Sequence, residues 1–131
     1  MIDCIILGDS IAVGTQQFKQ ECRVIARSGI NSWQFNRTNP GHFDANTVVI
    51  SLGSNDHSGV RTRKELEDLR KRISSSSKVY WILPAIKPDI QDIVTDIAQQ
   101  QGDIVIPITR LQRDGVHPSW AGYRQLGEMI K

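Results

Sequence analysis

The sequence predicts a single α/β domain in which a five-stranded parallel sheet lies between two layers of helices. Short apolar segments alternate along the chain with segments of helical periodicity, which is the order of elements in parallel α/β folds. The apolar segments are nearly continuous, as expected for strands that are covered on both faces. The 131 residues fit one domain, and no repeat or linker divides them.

The chain begins with two units of strand followed by helix. Residues 2–7 are almost entirely apolar and predict the first strand, and residues 11–21 predict the first helix. Residues 23–27 predict a short second strand. A short helix follows it, and either Asn31 or Ser32 is expected to cap that helix.

Three more strands and three more helices are predicted beyond this point. The strands are β-branched or apolar segments, at about 47–52, 78–83 and 104–108. The helices carry apolar residues on one face and are expected at 62–73, from 88 to a terminus at 102, and at about 119–130. Thr62 and Glu65 have the spacing of a capping box, which predicts the start of the first of these helices.

Composition limits the partners that the chain is expected to have. The net charge of +2 is too small to predict a nucleic-acid partner, and no apolar segment is long enough to predict insertion into a membrane. No secretory leader is visible, so the default expectation is a cytoplasmic location, with delivery by another route left open. Cys4 and Cys22 match no zinc spacing and are expected to be packed thiols, with a disulfide bridge between them as the less favoured alternative.

Four short motifs carry small or polar residues, three of them directly after predicted strands. They are Gly-Asp-Ser-Ile at 8–11, an isolated Gly29, Gly-Ser-Asn-Asp at 53–56 and Asp-Gly-Val-His at 114–117. Because the carboxyl ends of parallel strands share one edge of the sheet, we expect these motifs to meet there. A serine between a strand and a helix suits either a nucleophile or a helix cap.

In this order, the four motifs resemble those of the SGNH hydrolase family, also called GDSL esterases and lipases. The resemblance spans nearly the whole chain, and Ile11 stands in place of the leucine of the GDSL motif, which exchanges one apolar residue for another. The Gly-x-Ser-x-Gly elbow of ordinary α/β-hydrolases is absent from the sequence. The resemblance implies a flavodoxin-like SGNH hydrolase fold and a serine esterase.

The resemblance also implies a role for each motif residue. Ser10 would be the nucleophile, His117 the base that removes its proton, and Asp114 the carboxylate that accepts a hydrogen bond from the imidazole. The amides of Ser10 and Gly29 and the side chain of Asn55 would form the oxyanion hole. No cofactor is implied, and a metal is not expected because Asp114 and His117 supply too few ligands.

The short connections between the motifs predict an open, shallow site. Such a site favours short acyl groups, for instance acetyl esters of a carbohydrate or a small alcohol. His57 and Trp120 are candidates for substrate contact, although their default roles are a surface histidine and a packing residue, and Asp56 is expected to support its loop. Two alternatives remain: a thioesterase or lysophospholipase with the same triad, and a non-catalytic module that binds a glycan or another partner.

Overall fold

Within residues 2–131, which the computed structural model describes, five strands and five helices alternate along the chain. The strands are β1 (Ile2–Gly8), β2 (Arg23–Ala26), β3 (Ala45–Ser51), β4 (Lys78–Leu83) and β5 (Ile104–Pro107). The helices are α1 (Ser10–Gln16), α2 (Ser32–Thr38), α3 (Thr62–Lys71), α4 (Pro88–Gln101) and α5 (Trp120–Met129). The predicted alternation is therefore confirmed, and the observed bounds differ from the predicted ones by a few residues at most element ends.

The five strands form one parallel sheet in the order β2-β1-β3-β4-β5. This is the flavodoxin-like order, so the predicted fold class is confirmed. In such sheets ligands bind outside the carboxyl ends of the strands, at the point where the strand order reverses. Here that point lies between β1 and β3, where Gly8 pairs with Ser51.

Helices cover both faces of the sheet. On one face α1 packs against α5, and on the other α2 packs against α3 and α3 against α4. Each face has its own apolar core: Leu7, Ile50 and Trp81 belong to the core on the α3 side, and Ile6 and Ile82 to the core on the α1 side. Adjacent residues of a strand thus pack on opposite faces, which explains the continuous apolar runs in the sequence.

Cys4 and Cys22 form a disulfide bond, with Cα atoms 4.6 Å apart. The expectation of two packed thiols is therefore wrong. The sheet register gives the reason, because Ile5 of β1 pairs with Arg23 of β2 and the two preceding cysteines are therefore neighbours as well. Helix α1 ends earlier than predicted, at Gln16, and the chain turns back from there toward Cys22.

The predicted capping box of α3 is also wrong. Arg61 is the N-cap residue, and it makes no capping hydrogen bond through its side chain. The Thr62 hydroxyl donates to the carboxylate of Asp56 instead, and Glu65 forms an ion pair with Arg37. The two side chains therefore bond to partners outside the helix, six and 28 residues away, instead of to the first turn of α3. Of the two residues expected to cap α2, Asn31 and Ser32, the structure has Asn31 as the N-cap, and its side chain accepts a hydrogen bond from the Gln34 amide.

None of the helices in residues 2–131 combines the length and the apolar character that a membrane crossing would require.

Candidate active site

The first motif lies at the turn from β1 into α1, where the two strands at the centre of the sheet approach closely. A Cβ atom added to Gly8 would overlap the carbonyl oxygen of Ser51 on β3, and Gly8 has a φ of +142°. The next amide, that of Asp9, donates to this same oxygen at 3.0 Å. Glycine is needed here because both its backbone angle and the lack of a side chain permit this contact.

Asp9, and not Ser10, caps α1. Its Oδ1 atom accepts hydrogen bonds from the Ile11 amide and from the Ser51 hydroxyl, both at 3.0 Å. The Asp9 side chain is completely buried, and its Oδ2 atom has no hydrogen-bond partner within residues 2–131. Burial raises the pKa of this carboxyl from 3.8 to about 6, although the bonds from Ser51 and Ile11 act in the opposite direction. With the cap supplied by Asp9, the Ser10 hydroxyl remains free for another partner.

That partner is His117, which is 107 residues away in the sequence. The Ser10 Oγ atom lies 3.0 Å from Nε2 of His117, and Nδ1 of the same ring lies 2.7 Å from Oδ2 of Asp114. An ionised carboxylate can only accept hydrogen bonds, so Nδ1 carries the hydrogen of a neutral ring and Nε2 accepts the hydrogen of the Ser10 hydroxyl. The three residues thus form a continuous hydrogen-bonded chain from hydroxyl to imidazole to carboxylate.

Asp114 is held as a carboxylate by its own loop. Its Oδ1 atom accepts from the backbone amides of Val116 and His117, at 2.9 and 3.0 Å. The bond from Val116 and the bond from the His117 ring lower the pKa of Asp114 from 3.8 to about 2. Gly115 adopts a φ of +69° at the turn, and the Gln112 amide donates to the His117 carbonyl at 2.8 Å. The loop therefore fixes both the charge of the carboxylate and the orientation of the imidazole.

The two expected oxyanion donors outside the first motif lie on loops that are bonded to each other. Gly29 follows β2 with a φ of +81°, and a Cβ atom there would meet no atom within 4 Å. Glycine suits this position because of its backbone angle and not for lack of space. The Nδ2 atom of Asn55 donates to the carbonyl of Ile30 at 3.0 Å, which leaves one of its two hydrogens for another acceptor. The β2 loop is joined to the first motif by the bond from the Arg27 amide to the Gly8 carbonyl.

Asp56 supports the loop that carries Asn55, as the sequence predicts. Its carboxylate accepts from the amide of Ser32 at 2.8 Å and from the hydroxyl of Thr62 at 2.7 Å. These bonds join the loop to the first residues of α2 and α3. The ammonium of Lys87, a residue that the sequence did not predict for the site, donates to two carbonyls of the same loop. The one signal in the sequence that marks Lys87 is its position directly before Pro88, at the start of a helix that follows a strand.

His57 and Trp120, the two candidates for substrate contact, both have exposed side chains. The Nδ1 atom of His57 accepts from the Gly59 amide at 3.0 Å, which is a bond within its own loop. Trp120 begins α5 three residues after His117 and is 66% exposed. Its ring meets the ring of Phe18 at 83°, with centroids 5.2 Å apart, and the Arg124 guanidinium lies over the indole, 5.9 Å from its centroid.

Within residues 2–131, no group of three or more histidine, cysteine, aspartate or glutamate side chains is arranged to hold a metal ion. The side chains that meet at this edge of the sheet are the Ser10 hydroxyl, the His117 imidazole and the Asp114 carboxylate.

No family model and no curated protein sequence matches the chain. The fold is similar to that of two solved structures. One is a proposed acylhydrolase from Bacteroides fragilis, at a TM-score of 0.67 and 18% identity over 98% of this chain and 84% of that one. The other is the C-terminal catalytic domain of peptidoglycan O-acetyltransferase A from Streptococcus pneumoniae, with a methylsulfonyl adduct, at a TM-score of 0.58 and 14% identity over 96% of this chain and 88% of that one. At these identities the likeness establishes a shared fold.

Proposed function

We propose that this protein is a serine hydrolase of the SGNH type, which cleaves carboxylic esters through an acyl-enzyme on Ser10. The observation that supports this proposal most directly is the chain of hydrogen bonds from Ser10 through His117 to Asp114. A serine hydroxyl is too weakly acidic to attack an ester at neutral pH without a base, and a neutral imidazole at 3.0 Å supplies one. The fold shared with a proposed acylhydrolase and an O-acetyltransferase domain also supports it.

In the proposed reaction, Ser10 Oγ attacks the ester carbonyl carbon while His117 Nε2 takes the hydroxyl proton. The resulting imidazolium is stabilised by the carboxylate of Asp114. The imidazolium then gives its proton to the departing alkoxide, which leaves as the alcohol, and the acyl group remains on Ser10. A water molecule repeats the attack with the same base, which releases the carboxylic acid and restores the serine.

The negative charge that forms on the carbonyl oxygen requires hydrogen-bond donors that are already in place. We assign this role to the amides of Ser10 and Gly29 and to the side-chain amide of Asn55. The bond from Asn55 Nδ2 to the Ile30 carbonyl fixes the orientation of the amide, and the second Nδ2 hydrogen remains for the oxyanion. An aspartate at this position would repel the charge, so a neutral donor suits the chemistry.

The substrate that we propose is a short-acyl ester, such as an acetyl ester, of a carbohydrate or a small alcohol. The side chains of His117 and Asp114 are 39% and 45% exposed, which supports an open site with room for a bulky alcohol group. Trp120, which is 66% exposed, would contact a sugar ring with the part of its indole that Phe18 and Arg124 leave open, and His57 would make a polar contact. The activity named for the Streptococcus pneumoniae domain, transfer of acetyl groups on peptidoglycan, is consistent with acetyl chemistry on a glycan.

The cellular location is a separate proposal. The sequence favours a cytoplasmic default, whereas disulfide bonds persist mainly in oxidising compartments. Because Cys4 and Cys22 are bonded to each other, we propose that the chain works in an oxidising compartment. Alkylation of unreduced protein taken from its native source, followed by mass spectrometry, tests this. Alkylated cysteines would favour the cytoplasm instead.

Labelling with a fluorophosphonate, together with hydrolysis of p-nitrophenyl acetate, tests the proposed function. We expect labelling and turnover in the native protein and in a Ser58→Ala control, which removes an exposed serine from a neighbouring loop. Both signals should disappear in Ser10→Ala. Labelling that persists in Ser10→Ala, or a native protein with neither signal, would refute the proposal.

A series of p-nitrophenyl esters of increasing acyl length tests the proposed substrate separately. An open site without a long acyl tunnel should give the highest kcat/KM for acetate. A preference for acyl chains longer than about eight carbons would contradict the short-acyl proposal and leave the triad chemistry intact.

A further inference from the structure

We propose that Lys87 is a positioning residue that holds Asn55 in place as an oxyanion donor. This inference rests on the proposed function, because it assigns Lys87 a role in the same reaction. The Nζ atom of Lys87 donates to the carbonyl of Ser54 at 2.8 Å and to the carbonyl of Asp56 at 2.7 Å. These are the carbonyls of the two residues that flank Asn55, so one ammonium fixes the backbone on both sides of the donor.

The backbone of Lys87 supports a specific role for its side chain. Lys87 has a φ of +68°, and among residues 2–131 it is the one residue other than glycine with a positive φ. A residue with a side chain is disfavoured in this region, and glycine would adopt it without steric cost. Such strain persists where the surrounding structure requires the residue. Here the two bonds to the Asn55 loop are the contacts that a glycine would lose.

The other contacts of the loop explain why Lys87 matters. The Asn55 side chain is bonded to the Ile30 carbonyl, and the carboxylate of Asp56 is bonded to the starts of α2 and α3. These bonds hold the loop from the side of β2 and from the side of α3. Lys87 lies in the connection from β4 to α4 and holds the loop from this third side.

An oxyanion donor acts only when it is aligned before the reaction, because a displacement of about 1 Å can cost on the order of 100-fold in rate. Without the ammonium, the Ser54 and Asp56 carbonyls would turn to water and the Asn55 loop would gain freedom. The transition state would lose more stabilisation from the Asn55 hydrogen bond than the ground state, since the negative charge is present only in the transition state. Loss of Lys87 should therefore lower kcat and leave KM nearly unchanged.

The test compares Lys87→Met with Lys71→Met in turnover of p-nitrophenyl acetate. Methionine keeps the length of the side chain and removes its hydrogen-bond donors, and Lys71 is an exposed lysine at the end of α3. We expect Lys87→Met to lower kcat by roughly 10- to 100-fold, Lys71→Met to have no effect, and Lys87→Arg to retain most of the rate. An unchanged kcat in Lys87→Met would overturn the proposal.

A double-mutant cycle with Asn55→Ala separates positioning from a general structural effect. If Lys87 acts through Asn55, Lys87→Met should change kcat by less than about twofold once the Asn55 amide is gone. An equal loss in both backgrounds would overturn the proposal, because the two residues would then act independently.

A second measurement does not depend on activity. In amide NMR spectra, Lys87→Met should shift or broaden the side-chain NH₂ signals of Asn55, and Lys71→Met should leave them unchanged. Unaltered Asn55 signals in Lys87→Met would refute the positioning role even in a protein with no esterase activity. If the native protein shows no turnover but Lys87→Met still changes the Asn55 signals, the proposed function is refuted and the contact between Lys87 and the Asn55 loop stands.

Discussion

Replacing Asp9 with asparagine should change the pH dependence of stability, and the structure gives the size of the change. Burial raises the pKa of Asp9 from 3.8 to about 6, a difference of 2.2. Each pKa unit corresponds to about 1.4 kcal/mol, so the ionised carboxyl costs the folded state roughly 3 kcal/mol. Asparagine keeps the Oδ1 acceptor for the Ile11 amide and the Ser51 hydroxyl and removes the charge.

The sign of the effect follows from the direction of this shift. Below about pH 4 the carboxyl is protonated in both the folded and the unfolded chain, and there is no penalty. Between about pH 4 and pH 6 the folded state retains a proton that the unfolded state releases, so the stability contributed by Asp9 falls as the pH rises. Above about pH 6 both states are ionised, and the penalty stays constant.

Urea unfolding of the native protein and of Asp9→Asn at several pH values measures this penalty. Subtracting the unfolding free energy of Asp9→Asn from that of the native protein cancels the titrations that the two share. We expect this difference to fall by roughly 3 kcal/mol between about pH 3 and pH 7. A Ser58→Ala control, which changes an exposed side chain and removes no titratable group, should give a difference that does not change with pH. A flat difference for Asp9→Asn would refute the assignment of a buried, high-pKa carboxyl.

Three further predictions concern the disulfide, the first glycine and the triad carboxylate. Replacing Cys4 and Cys22 with alanine should lower the free energy of unfolding by about 3 kcal/mol, since the disulfide spans 18 residues, and an unchanged Tm would contradict this. Gly8→Ala should lower the free energy of unfolding in urea by roughly 3 kcal/mol or more, because the new Cβ atom would overlap a carbonyl of β3. Gly29→Ala should lower it by only about 1 kcal/mol, because the space around Gly29 is open. Equal losses in the two variants would contradict the steric argument. Asp114→Asn should lower the kcat of ester hydrolysis by about 10⁴-fold in steady-state assays, and a loss below about tenfold would remove Asp114 from the triad.

The parallel fold could be predicted because it depends on patterns that are local in sequence. Continuous apolar strands and amphipathic helices gave the alternation, and β4 spans Lys78–Leu83 as predicted. The meeting of Ser10 with His117 was also predictable, since both follow strands of one parallel sheet and the carboxyl ends of those strands share an edge. The position of a motif after a strand was therefore sufficient to predict which motifs meet, because the parallel sheet itself brings them together.

The features that the sequence did not predict depend on contacts between distant segments. The bond between Cys4 and Cys22 depends on the register of β1 against β2, which the sequence does not specify. Glu65 has the spacing for a local cap with Thr62, but it forms an ion pair with Arg37, which is 28 residues away on α2. Lys87 gives little sequence signal, since its role depends on two carbonyls that lie 31 and 33 residues away.

The bonds among the loops divide the site into two parts that should respond differently to mutation. The loops after β1, β2 and β3 are joined by the bonds from the Asp9 amide to Ser51, from the Arg27 amide to Gly8 and from Asn55 to Ile30. Ser10, the proposed nucleophile, and the proposed oxyanion donors thus share one frame, which also holds the centre of the sheet together. His117 and Asp114, the proposed base and its carboxylate, lie on the loop before α5, which is held largely by its own hydrogen bonds and meets the frame at the contact between Ser10 and His117. Substitutions in the frame should therefore reduce stability and rate together, whereas substitutions in the 114–117 loop should reduce the rate with little loss of stability.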